Sequence, residues 1–162
     1  MFLKGSVAAM RTMPITLLAA VALAGCGGGG GGGPLSKSEY EHKMQAEGKR
    51  LTAALQRADV TSAKDIHEFA ARLGGVKDDI AKAADEVDAL QPPADAVADT
   101  QTIADVLHRL AAVIGEIQTA AANNDTAGFQ RDVKDLASEL RAAQPAVRDL
   151  KAKGYDVGAF AS

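Results

Sequence analysis

Residues 97–117 read VADTQTIADVLHRLAAVIGEI, in which Val97, Ile103, Val106, Leu107, Leu110, Val113, Ile114 and Ile117 recur at steps of three and four. That is the 3.6-residue repeat of a helix with one apolar face, and the run is too long for a strand. Gln91-Pro92-Pro93 precedes it as a breaker, because proline disfavours helix in the residue before it and suits the first helical turn after it. Asn123-Asn124-Asp125 follows as a turn and as a cap for the next segment.

Working outward, the same spacing returns three times. Tyr40, Met44, Leu51 and Leu55 share a face in a first segment that ends near Asp59. A second opens with Ser62 as N-cap and Asp65 three residues on, and carries Ile66, Phe69, Leu73, Val76, Ile80, Val87 and Leu90. The fourth carries Phe129, Val133, Leu136, Leu140, Val147 and Leu150, with Lys151, Lys153 and Gly154 supplying helix-end chemistry. Gly74-Gly75 and Pro145 are the weak places, each expected to kink its helix rather than to act as a hinge.

Long helices with short connections pair as antiparallel neighbours, and each narrow stripe needs the others to bury it. The expectation is an all-α chain, an antiparallel up-down-up-down four-helix bundle over residues 36–153 with a C-terminal tail at 154–162. Alanine between the larger apolar residues lets such helices approach closely.

The 162 residues leave room for one domain. From Cys26 onward the chain carries 16 basic and 21 acidic side chains, a formal charge of −5 with little clustering of sign. That argues against nucleic acid, whose phosphates need a concentrated basic surface. Aromatic residues make up 4% and tryptophan is absent, which disfavours sites that stack bases, sugars or flat cofactors.

Cys26 is the chain's one cysteine, so it cannot form an internal disulfide. It closes the stretch Leu23-Ala24-Gly25-Cys26, behind the uncharged run PITLLAAVALA at residues 14–24. Eleven apolar residues fall short of the roughly 20 a membrane-spanning helix needs, but suit a signal-peptide h-region. Lys4 and Arg11 stand before it as a positive n-region, and Met1, Met10 and Met13 are all possible starts. Leu23-Ala24-Gly25-Cys26 resembles the lipobox of bacterial lipoproteins: aliphatic, small, small, cysteine. The resemblance implies cleavage between Gly25 and Cys26, a signal peptide over residues 1–25, and acyl chains on Cys26 that anchor the protein to the outer side of the cell membrane. Gly27 stands where an aspartate would mark retention in the inner membrane of a Gram-negative host, so outer-membrane sorting is permitted if the host has one. Gly27–Gly33 cannot bury side chains and pays the largest backbone entropy to order. Residues 26–35 therefore read as a lipidated cysteine and a flexible linker, with seven glycines reaching roughly 15 Å.

A second resemblance rests on Leu35-Ser36-Lys37-Ser38-Glu39-Tyr40, Gln91-Pro92-Pro93-Ala94 and Asn124-Asp125. These are similar to stretches in small helical lipoproteins of high-GC bacteria, especially actinobacteria. Members often carry one cysteine in the first helix and another near the C-terminus, at places corresponding here to Gly48 and Val157-Gly158. The resemblance then implies that this chain lacks such a clamp and that Tyr155 to Ser162 is looser.

Glu39-x-x-His42 and Asp105-x-x-His108 have the spacing of di-metal carboxylate bundles, but both pairs lie on the polar side of their helices, so no metal is expected. Met44 faces the core, yet His67 does not, and Cys-x-x-Cys-His is absent, so no haem or other cofactor is expected. The three histidines lie on three polar faces with no serine at a telling spacing, which leaves no nucleophile–base pair. The glycine run lacks Gly-x-x-x-x-Gly-Lys, so it is no phosphate loop. Glu68/Arg72 and Asp78/Lys82 are expected as i,i+4 surface pairs. The sequence thus points to a non-enzymatic, lipid-anchored envelope protein whose helices bind or space another envelope component. The alternative is a carrier of a small molecule between its helices, which convergent inward polar groups would favour.

Overall fold

The computed structural model describes residues 33–161. The expected signal segment, Gly25, Cys26 and every tether glycine except Gly33 lie outside the described residues. Five α-helices follow in order: α1 (Lys37–Ala58), α2 (Ile66–Asp88), α3 (Val97–Ala122), α4 (Thr126–Ala142) and α5 (Gln144–Ala152). Short 3-10 turns occupy Val60–Ser62 and Gly158–Ala161. No helix among the described residues is long and apolar enough to cross a membrane.

Local chemistry sets the helix ends. Ser36 opens α1 with a reciprocal capping box: Glu39 N–H donates to the Ser36 hydroxyl oxygen while the Glu39 carboxylate accepts from Ser36 N–H at 3.0 Å. Asp59 ends it in the left-handed region at φ 43°. The cap of α2 is Asp65 rather than the expected Ser62: Glu68 N–H donates to Asp65 at 2.8 Å, and the Glu68 carboxylate accepts from Lys64 N–H. Two overlapping cap patterns compete here, and the one directly before the first stripe residue, Ile66, prevails. Ser62 instead closes the 3-10 turn, its hydroxyl donating to Asp59. Asp125 caps α4 as expected, accepting from Gly128 N–H at 2.9 Å.

At the two weak places the outcomes differ. α2 runs through Gly74 and Gly75 without interruption. The fourth segment, expected as one helix, divides: α4 stops at Ala142 and α5 starts afresh with Pro145 in its first turn. Proline lacks the N–H that an interior turn requires, so its best position is the start of a new helix.

Sequential helices pack as neighbours into a helical bundle. The most extensive pairing joins α2 to α3, where Ala70, Ala83 and Ala84 on one side and Ala104, Ala111 and Ala121 on the other are buried. α1 packs on α2, and α4 and α5 pack on α3. The ring is not closed by α1 against α4, which share no extensive contact. Leu55 on α1, at 48%, and Leu140 on α4, at 56%, are consequently about half exposed, as is Val97, at 50%, in the first turn of α3.

The chain returns to α1 through its last residues. Gly154, at φ 84°, reverses the chain after α5, and Tyr155 N–H donates to Leu150 O at 2.9 Å. Tyr155 and Val157 are buried, and the turn at Gly158–Ala161 packs on α1. Gly158, at φ 58°, passes so close to Gln45 that a Cβ there would lie 2.9 Å from its Cγ. Tyr155 and Val157, within the segment expected to be looser, are thus part of the core, because a buried tyrosine and valine recover more than their ordering costs. The position of a Cβ on Gly48 lies 3.2 Å from Ala159 Cβ, so the first helix and the C-terminal turn do meet.

Candidate functional surface

One group of buried polar side chains, with Tyr40, Asp99 and Thr100, lies where α1 and α3 begin and α5 ends. Tyr40, fully buried, donates its hydroxyl to Thr100 Oγ1 at 2.8 Å, and the Thr100 hydroxyl in turn donates to Ala96 O at 2.7 Å. The Tyr155 ring meets the Tyr40 ring edge to face at 5.4 Å between centroids, and its hydroxyl donates to Asp95 at 2.6 Å. That bond, followed by loss of solvation, pushes the Tyr155 hydroxyl up to about 12. Burial raises Tyr40 as well. Lys153 Nζ donates to Asp99 at 2.6 Å, which holds the ammonium above its usual range. Lys37 stands over the Tyr155 ring, 5.2 Å from its centroid. The three contacts of Tyr155, with Tyr40, Asp95 and Lys37, tie the tail to the bundle.

A second cluster joins α1 to α2. Burial and the neighbouring Glu86 carboxylate push Glu47 upward against the pull of Arg50, whose guanidinium contacts both carboxylates. Arg57 pairs with Asp79 at 3.2 Å across the same helices. Glu47, Arg50, Arg57 and Asp79, with Lys82 and Ala83, line a groove of about 360 Å³. A groove of about 410 Å³ between α3 and α4 is lined by Gly115, Thr119, Ala120, Arg131 and Asp132, among others. No buried side-chain nitrogen or oxygen among the described residues lacks a hydrogen-bond partner.

The residues singled out for chemistry do not converge. Glu39, His42, Asp105 and His108 are exposed, Glu39 is committed to the α1 cap, and His108 Nε2 lies 3.9 Å from Asp85. His67 Nε2 lies 3.1 Å from Asn124 Oδ1 on the surface, while Met44 is fully buried in the core. Glu68 and Arg72 form the expected pair at 2.7 Å, but Lys82 turns to Glu86 rather than Asp78.

What the bundle leaves available is an apolar seam. Phe129, Val133 and Leu136 on α4 are only half-buried and Leu140 is more exposed, so no large apolar side chain of that helix is fully enclosed. Phe129 anchors one end against Phe69, with ring centroids 5.7 Å apart, and Arg109 fastens α3 to α4 through Glu139 at 2.8 Å.

Sequence reading missed the Tyr155–Asp95 and Lys153–Asp99 contacts. A signal was present: Asp99 and Thr100 stand four and three residues before Ile103, on the apolar stripe of α3, where polar residues need partners. No family model, no curated protein and no solved structure matches this chain.

Proposed function

We propose that the chain is a lipid-anchored bacterial envelope protein, cleaved before Cys26 and held to its membrane by acyl chains on that residue. Its helical domain carries no chemistry of its own and works through its outer faces, binding another envelope component or spacing it from the membrane. The observation that carries the interaction reading is the half-buried seam of Phe129, Val133, Leu136 and Leu140. Phe129, Val133 and Leu136 pack on the core while keeping part of their surface, and Leu140, one step further along the same row, is 56% exposed, which leaves an apolar edge for a partner to cover. The buried polar groups Glu47, Asp99, Thr100 and Asp132 each have partners within the chain, which suits roles in the fold better than contact with a carried ligand.

The test is site-specific photo-crosslinking in the intact host, with the reactive group at Leu140 or, as control, at the exposed Lys134, together with native mass spectrometry of gently extracted protein. A discrete crosslinked product from Leu140 alone, with no small adduct, is expected. A reproducible non-covalent small-molecule adduct without crosslinks would replace this reading with the carrier.

A further inference from the structure

If Cys26 carries the acyl chains, the bilayer lies within a fixed distance of one particular end of the bundle. Between Cys26 and Pro34 stand seven glycines, which span at most about 25 Å when fully extended. The chain emerging from them is not free to wander: Leu35 N–H donates to Gln91 O at 2.7 Å, which pins the tether's root to the α2–α3 connection. The opposite end, at the Asn123–Asp125 turn, is about 39 Å away along α3 at 1.5 Å per residue.

The pinned end carries apolar surface beside the exposed carboxylates of Asp88 and Asp95. Leu35, Leu90, Pro92 and Pro93 are half-buried there, and Val97, at the first position of α3, is 50% exposed. Cations at this end are already engaged, Lys153 with Asp99 and Lys37 over the Tyr155 ring. The facet therefore suits the apolar boundary of a bilayer rather than anionic headgroups.

We infer that the facet formed by Leu35, Leu90, Pro92, Pro93 and Val97 rests on the same bilayer that holds Cys26, so that the bundle stands on this end and turns its α4 seam and its far end to the surroundings. The inference rests on the anchoring reading above, and its test separates the two. The chain from Cys26 onward is coupled through its one thiol to a maleimide lipid in phosphatidylcholine vesicles brominated near the top of the acyl chains, so anchoring does not depend on the host. Because the protein has no tryptophan, Val97→Trp, Leu55→Trp and Leu140→Trp each supply a lone reporter at a position already about half exposed. The expected result is quenching and a blue shift for V97W, with L55W and L140W unchanged from their values in vesicles without bromine. Equal or stronger quenching of L55W or L140W would mean that the domain lies on its side, and no quenching at any position would mean that it stands clear of the bilayer. Either result overturns the inference. Failure of the anchoring itself would instead appear as an unacylated protein in the host.

Discussion

Removing the Tyr155 side chain should cost far more than its place near the C-terminus suggests. Tyr155 is 6% exposed, packs edge to face on the fully buried Tyr40 at 5.4 Å, and donates to Asp95 at 2.6 Å. Truncating a buried aromatic to alanine typically costs about 3–5 kcal/mol, a large share of the roughly 5–15 kcal/mol that holds a domain folded. Tyr155→Phe separates the terms, because the ring stays and only the hydroxyl is lost. Asp95 is exposed and can take water in its place, so this loss belongs at the low end for a bond to a charged group, about 1–1.5 kcal/mol. Leu140→Ala, at 56% exposure, is the matched control and should cost less than about 1 kcal/mol. Urea unfolding followed by far-ultraviolet circular dichroism reads all three. If Y155A lay within about 0.5 kcal/mol of the parent, the tail would be peripheral and the reasoning that makes it part of the core would be wrong.

Three further outcomes follow from the same contacts. In base, the raised Tyr155 hydroxyl stabilises the fold fully below pH 10, and that contribution is lost as pH rises through about 12; a spectrophotometric titration should show tyrosinate forming later in the folded than in the urea-unfolded chain, and coincident curves would contradict it. Gly75→Ala meets nothing within 4 Å and should stabilise by about 0.5–1 kcal/mol through helix propensity alone, whereas destabilisation in the same urea assay would mean that the glycine pair is needed as a bend. Gly48→Cys with Ala159→Cys, in a Cys26→Ser background, should oxidise to a disulfide, since the two Cβ positions lie 3.2 Å apart, a few tenths of an ångström short of the usual span of about 3.5–4.5 Å. Thiols still titratable after air oxidation would show that the C-terminal turn does not sit on α1.

Much of this fold is legible from apolar spacing, because a stripe at helical steps states both the element and its buried side. Ile103, Leu107, Leu110, Ile114 and Ile117 sit where the period puts them. Failures occur where the period alone was trusted. Leu55, Val97 and Leu140 satisfy it yet remain about half exposed, since a stripe is buried only as far as a neighbour extends: α1 and α4 do not cover one another, and Val97 stands in the first turn of α3. Ser62 lost the cap to Asp65 because two patterns overlap between Ser62 and Glu68, and the Ser62 hydroxyl is taken by Asp59 in the turn before α2. The tail was opaque for a different reason. Tyr155 and Val157 lie past the last helix, where no period marks burial, and their partners Tyr40 and Asp95 are distant in sequence. The polar network was half legible, for Glu47, Asp99, Thr100 and Asp132 all occupy stripe positions beside large apolar residues. A charged side chain on a buried face predicts a partner without naming it.

The anchor rests on four residues, Leu23 to Cys26, and one measurement reaches it directly: the intact mass and N-terminal fragment masses of the protein extracted from its own host's membranes. A chain that begins at Cys26 and carries acyl chains on that residue is the predicted result. A chain that retains residues before Cys26, or begins there without lipid, would contradict the account at its root.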